Sequence, residues 1–358
     1  MPSEDKNWIL DKTKEVLDSS ILTEGKYCRQ LESELKQKLA SKHVITTNSG
    51  TGALECMIRA SRTKGEVIVP TETFSATIYA IIRAGCKPIF ADSGADMSIS
   101  PSSVKSLLND NTSAVMLVHI GGFISDNVIE IKELCEKRGI PLFEDAAQAM
   151  GSTYDGRSPG RFGIAAGFSL FPTKVMASAE GGFIATDNDE LAQLSNVLKD
   201  QGKTRGNYCA VQGYNWRMSE LQAIIALTQL RRLDEFVRSR DKIAGYYDEL
   251  TSQMSAYLEP HPRSKKCQPN WYKFISYLKS GNRDALKNSL KGFDINLSGE
   301  VYEVPCHVQE AFSEFAIPSR TFPVSEDLSG RHICFPLTSN MTMEQAKYFG
   351  EKLQAYFA

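Results

Sequence analysis

Apolar positions recur along this chain with two different periods. In residues 25–41, Leu31, Leu35 and Leu39 stand four apart with charged residues between them, the spacing of one face of an amphipathic helix. Residues 4–19 read as a helix before it. Short β-branched or apolar runs then alternate with helix-length segments. Strands are expected at 44–47, 66–70, 87–91, 113–119 and 142–145, and helices at 53–60, 73–84, 101–108 and 126–138. Such alternation predicts an α/β architecture, a mostly parallel central sheet flanked by helices, with functional groups at the carboxyl ends of strands. Residues 166–171 and 183–186 add two more strands, and 188–202 a surface helix. A long helical region is expected from 214 to about 254, where Leu221, Ile224, Ile225, Leu227, Leu230 and Leu233 form a packing stripe. Pro260, Pro262 and Pro269 then punctuate a linker, followed by a strand at 271–278 and helices at 284–290 and 339–356. At 358 residues the chain exceeds one small core. It is expected to divide into a large domain, 1–240, and a smaller C-terminal α+β domain, 241–358.

Composition narrows the functional classes. Hydrophobic content of 42% and charged content of 23% are ordinary for a soluble globular protein. A formal charge of −2 shows no basic surplus, so no nucleic-acid partner is expected. No apolar run approaches the ~20 residues that span a bilayer, and the first residues lack a signal pattern. The cysteines at 28, 56, 86, 135, 209, 267, 306 and 334 show no CxxC spacing. That pattern predicts reduced thiols in a cytoplasm and no metal site.

Three places carry candidate chemistry. The strand at 44–47 feeds Asn48-Ser49-Gly50-Thr51-Gly52 and then a helix. Free backbone amides and the positive helix end make that turn a phosphate seat, although an ordinary helix cap would look the same. Neither a dinucleotide fingerprint nor a P-loop is present. Asp145 ends the 142–145 strand and either serves a ligand or caps Ala146-Ala147-Gln148. Lys174 ends Phe171-Pro172-Thr173-Lys174, a turn between two strands, ahead of the Glu180-Gly181-Gly182 turn. A lysine in such a turn, alone, would be merely solvated. With a strand-end acid and a phosphate seat it meets the needs of a pyridine aldehyde. Lys174 is therefore expected to carry pyridoxal phosphate as a Schiff base.

The ordered motifs resemble a known family. They are Ser49-Gly50-Thr51-Gly52-Ala53-Leu54, Pro70-Thr71-Glu72-Thr73-Phe74, Val118-His119, Glu144-Asp145-Ala146-Ala147-Gln148-Ala149, Phe168 to Lys174, Glu180-Gly181-Gly182 and Gly213 to Met218. Looser matches follow at Tyr302 to His307 and Cys334-Phe335-Pro336. From about residue 20 onward the chain is similar to the DegT/DnrJ sugar aminotransferases, fold type I pyridoxal-phosphate enzymes acting on nucleotide-linked keto-sugars.

The resemblance implies roles. Lys174 would hold the cofactor and shuttle a proton, and Asp145 would face the pyridine nitrogen. Gln148 would bond the phenolic oxygen, and Phe74 would lie on the ring. Ser49, Gly50, Thr51 and Ser169 would hold the phosphate, joined by Asn215 from the neighbouring subunit of a homodimer with shared sites. Tyr302, His307, Arg217 and His119 are candidates for the substrate side. Trp216 is expected to pack, and Cys306 beside His307 is set aside as a nucleophile pair because neighbours on a strand face opposite ways. Met150 departs from the family pattern, the lead before residue 20 is short, and the loop at 203–212 is compact; all three leave the sugar side open.

The implied reaction moves an amino group from an amino acid, L-glutamate, to a nucleotide-linked 3- or 4-keto-deoxy sugar. Its product would be an amino sugar for a surface polysaccharide or a glycosylated metabolite. A cyclitol or an eight-carbon keto-acid sugar is the alternative acceptor. Sugar dehydratases of this fold carry histidine where Lys174 stands, and a non-catalytic sensor would not need Lys174, Asp145 and Gln148 together.

Overall fold

Valine, isoleucine, phenylalanine and alanine fill the central strands on both faces, as burial between two helical layers demands. The computed structural model describes residues 1–297, 299–317 and 319–358. Strands β1 (His43–Thr47), β2 (Glu66–Pro70), β3 (Lys87–Ala91), β4 (Thr112–Val118) and β5 (Leu142–Asp145) come first. The two-residue β6 (Thr153–Tyr154) lies outside the main sheet, and β7 (Ala165–Ser169) and β8 (Gly182–Thr186) complete it. The order is β1-β8-β7-β5-β4-β2-β3. From β7 through β3 every pairing is parallel, whereas β8 runs antiparallel to both its neighbours. No helix joins β7 to β8, and a parallel return would need such a crossover. The loop carrying Lys174 therefore turns the chain straight back. The mostly parallel sheet under two helical layers is the fold type I arrangement.

Helices α1 (Ser3–Ser19), α2 (Lys26–Leu39), α3 (Gly50–Ala60), α4 (Ser75–Arg83), α5 (Pro101–Leu107), α6 (Asn127–Arg138), α7 (Asp189–Lys199), α8 (Glu220–Arg231) and α9 (Leu233–Gln253) surround it. Gly25 gives α2 no side-chain cap of its own. The Glu220 carboxylate supplies one, accepting the amides of Gly25 at 2.9 Å, Tyr27 at 2.7 Å and Cys28 at 2.9 Å. A negative group there also complements the helix dipole.

A second sheet of three antiparallel strands, Leu258–Pro260, Phe274–Leu278 and His332–Phe335, follows. Helix α9 runs unbroken through residue 240. Its Leu233 and Phe236 pack with α2 and α8, whereas Ile243, Ala244, Tyr247 and Leu250 pack with Phe274, Phe335 and Phe349. The expected strand at 271–278 begins only at Phe274, because Asn270 to Tyr272 turn toward residues 148–152. The strand His332–Phe335 and the helix Pro323–Arg331 escaped the sequence pattern, and the 203–212 loop contains a small hairpin, Lys203–Arg205 with Tyr208–Cys209. Among the described residues no helix is long and apolar enough to cross a membrane.

Candidate active site

The helix after β1 begins at Gly50, three residues before the expected start. Ser49 is its cap, with Oγ accepting the Gly52 amide at 3.0 Å. The amides of Gly50 and Thr51 stand in the first turn, where an α-helix offers no partner. Two glycines bring this helix end onto the sheet. A Cβ on Gly50 would stand 2.7 Å from the Ser169 Cβ, and one on Gly182 would stand 2.5 Å from the Ser49 carbonyl. Amide donors and the Ser169 hydroxyl thus meet at the ends of β7 and β8, a cradle sized for an anion.

Asp145 closes β5 and is 5% exposed. Its Oδ2 accepts the Thr77 hydroxyl at 2.6 Å and its Oδ1 the Ala147 amide at 3.0 Å. Thr73 stands 2.8 Å behind Thr77, hydroxyl to hydroxyl. Burial pushes the Asp145 carboxyl up, against the pull of the Thr77 hydroxyl, the Ala147 amide and the Lys174 charge. A cation facing it would favour its charged form.

Lys174 sits in a loop closed by its own amide on Phe171 O, at 2.9 Å, and by the Ser178 amide on Leu170 O, at 2.7 Å. Its Nζ lies 4.6 Å from the ring centroid of Tyr272. Gln148 accepts the Gly121 amide at 2.7 Å and donates to the Tyr302 hydroxyl at 2.6 Å. The Tyr302 and Phe74 rings stand 5.7 Å apart, and Phe74 is 56% exposed.

One cavity of about 280 Å³ gathers Ser49, Gly50, Thr51, Phe74, Asp145, Gln148, Ser169, Lys174 and Tyr302. Four other candidates lie outside its lining. His119 faces away by strand register: Val118 pairs with Asp145 and lines the cavity, whereas Leu117 pairs with Glu144 on the other face. There the buried His119 Nε2 meets Glu144 at 2.9 Å. Burial alone would raise the Glu144 carboxyl; His119 and the amides of Gly160 and Gly163 outweigh it and hold it below the usual range. This pair is structural, which corrects the expectation for His119. Arg217 is engaged by Asp200 at 2.5 Å. The Asn215 carbonyl accepts the Asn48 side-chain amide at 3.1 Å. His307 is held by the Thr71 hydroxyl at 2.7 Å and Glu326 at 3.2 Å, with its ring 4.2 Å from Phe322. Arg217 and His307 are thus anchored within the protein, not presented to the cavity.

Two further expectations change. Met150 is 4% exposed in the core, so it does not shape this cavity. Cys306 lies on a tight turn rather than a strand, and burial pushes its thiol up to about 12, so it is no nucleophile for a different reason. Thr77 and Tyr272 were missed. Thr77 stands four residues after Thr73 at a helix start following a strand, a signal that could have been read. Tyr272 comes from 98 residues beyond Lys174 (272 minus 174) and leaves no local trace.

The donor set suits pyridoxal phosphate: amides and a hydroxyl for the phosphate, a buried acid for the ring nitrogen, an aromatic ring at the mouth and an amine. The profile of the DegT/DnrJ/EryC1/StrS aminotransferase family matches residues 3–354. A pleiotropic regulatory protein of Geobacillus stearothermophilus is 32% identical over 96% of this chain and 92% of its own length. GDP-perosamine synthase of Vibrio cholerae is 31% identical over 94% of this chain and 92% of its own length. The structure of NtdA from Bacillus subtilis with bound cofactor PMP aligns with a TM-score of 0.91 at 25% identity, covering 99% of this chain and 82% of that one. With the profile spanning nearly the whole length and the site geometry agreeing, the chain belongs to the DegT/DnrJ/EryC1/StrS family of pyridoxal-phosphate aminotransferases.

Proposed function

We propose that this chain moves an amino group from L-glutamate to a 3- or 4-keto-deoxy sugar carried on a nucleoside diphosphate. The convergence of Lys174, Asp145 and the start of α3 on one cavity carries the reading. Bound pyridoxal phosphate supplies the electron sink for a carbanion at the donor's α-carbon. Lys174 Nζ is the amine that attaches the group and, when free, takes the α-proton. Asp145 holds a proton on the ring nitrogen, its charge kept in place by Thr77 and the Ala147 amide. Ser49, Gly50, Thr51 and Ser169 hold the phosphate, and Gln148 orients the ring's phenolic oxygen.

A cavity of about 280 Å³ falls just below the ~300–1,000 Å³ usual for ligand sites. A cofactor would occupy most of it, which leaves the sugar to bind outward of the exposed Phe74 ring at the mouth. The similarity to a synthase named for a GDP-linked sugar supports a nucleotide-linked acceptor. We further propose a homodimer whose partner brings Asn215 to the phosphate, and a division into domains near residue 240, where α9 changes the core it packs against. Eight unpaired cysteines support a cytoplasmic setting.

Borohydride treatment of the purified holoprotein should fix the cofactor on the peptide holding Lys174. Addition of glutamate should bleach its visible band, and a nucleotide-linked keto-sugar should restore it. Lys174→Ala should lose fixation and turnover while keeping the wild-type melting midpoint within about 2 °C, since Nζ contributes chemistry more than packing. Turnover at the wild-type rate in that variant would refute the assignment.

A further inference from the structure

Tyr272 belongs to none of the elements that build the cofactor cradle, yet its half-buried ring forms one wall of the cavity. The Lys174 Nζ rests 4.6 Å from its centroid, and Lys273 Nζ stands 5.3 Å from the same ring. The phenol reaches the Thr173 hydroxyl at 3.4 Å, so residues 173 and 174 both touch one side chain. The backbone beneath is locked. Asn270, 1% exposed, accepts the Tyr272 amide at 2.9 Å. It donates to the carbonyls of Gln148 at 2.8 Å and Met150 at 2.9 Å, on the segment that follows Asp145. Burial by itself would raise the phenol; the Lys174 charge, the Thr173 hydroxyl and the Lys273 charge outweigh it and hold it below its ordinary value. Lys174 is thus adjacent to the ring face and, separately, coupled through its charge to the phenol oxygen.

We propose that Tyr272 is a positioning residue for Lys174, its ring face holding the lysine nitrogen at the cavity wall whenever that nitrogen is not bonded to the cofactor. The inference rests on the proposed role of Lys174. In the step concerned, the C–H bond at the donor's α-carbon would break, its proton passing to Lys174 Nζ and its electron pair to the sink that a bound cofactor would supply. The amine becomes an ammonium, and an aromatic face favours the ammonium over the amine. A located, cation-favouring wall thus makes Nζ a better proton acceptor, and its loss leaves a flexible four-carbon stem to search for the α-carbon.

The holoenzyme tests this with Tyr272→Phe and Tyr272→Leu, using glutamate deuterated at the α-carbon. Phenylalanine keeps the ring, so its first half-reaction should stay within about threefold of wild type. Leucine should slow that half-reaction by about tenfold or more, on the scale of a lost desolvated cation–ring contact. It should also enlarge the deuterium isotope effect and leave the KM for glutamate unchanged. If the leucine variant does not fold, Tyr272→Met serves the same comparison. A leucine or methionine variant with the wild-type isotope effect overturns the proposal, and so does one in which only KM rises. Borohydride fixation at Lys174 should persist in every variant; its failure in the wild-type protein would refute the reading of Lys174 itself.

Discussion

Replacing Glu72 with glutamine should stabilise the protein in alkali and leave it unchanged in acid. Glu72 is 0% exposed, accepts the Tyr302 amide at 2.6 Å through Oε1, and has no hydrogen-bond partner for Oε2 among the described residues. Burial pushes its carboxyl up to about 8, with the Tyr302 amide and the Arg283 charge recovering only part of the cost. An unfolded chain would ionise it near the ordinary 4.5. Between those values the folded protein keeps a proton that the unfolded chain has released, so stability falls as pH rises through the window. Below 4.5 the contribution is fully present, and above about 8 it is gone. At ~1.4 kcal/mol per pH unit the whole window is worth on the order of 5 kcal/mol. Glutamine still accepts the Tyr302 amide and does not titrate. Asp145, also pushed up, contributes equally to both proteins and drops out of the difference. Melting midpoints of the two holoproteins should therefore coincide near pH 5 and separate by about 5 °C at pH 8.5, the glutamine variant higher. Parallel midpoint curves across that range would show that Glu72 is already ionised in the fold, and the reasoning would fail.

Two further outcomes follow from close packing near the cradle. Gly182→Ala places a Cβ 2.5 Å from the Ser49 carbonyl, so α3 or β8 must shift; cofactor retention in equilibrium dialysis should drop by about tenfold or more, and wild-type retention would show that the cradle tolerates the shift. Asn270→Ala strands the Gln148 and Met150 carbonyls and the Tyr272 amide, which at ~1–3 kcal/mol each amounts to about 3–9 kcal/mol. A urea midpoint within experimental error of wild type would contradict that loss.

The cradle was legible in the sequence because its parts are local. A strand end places Asp145, a strand-to-helix turn places Ser49 to Thr51, and Gly181-Gly182 returns the chain behind Lys174. The wall was not legible, because Asn270 and Tyr272 act through side chains recruited from elsewhere in the fold; Thr77, by contrast, left a local signal in its spacing from Thr73. His119, His307 and Arg217 show the same effect in reverse. Each looked available, and each is engaged by a partner that the linear order hides: Glu144, Glu326 with Thr71, and Asp200. Period two along β4 and β5 could have turned His119 away from the cavity once their register was known.

The lock made by Asn270 also bears on how the protein is manufactured. Every proposed contact to the cofactor from within this chain lies between residues 49 and 174, so a ribosome delivers them all before it has made any residue beyond 174. Until residue 270 has left the exit tunnel, the carbonyls of Gln148 and Met150 lack the side chain that joins them. A nascent chain can thus display the vitamin-binding groups early, but they gain their rigid backing only once Asn270, almost a hundred residues after Lys174, has followed.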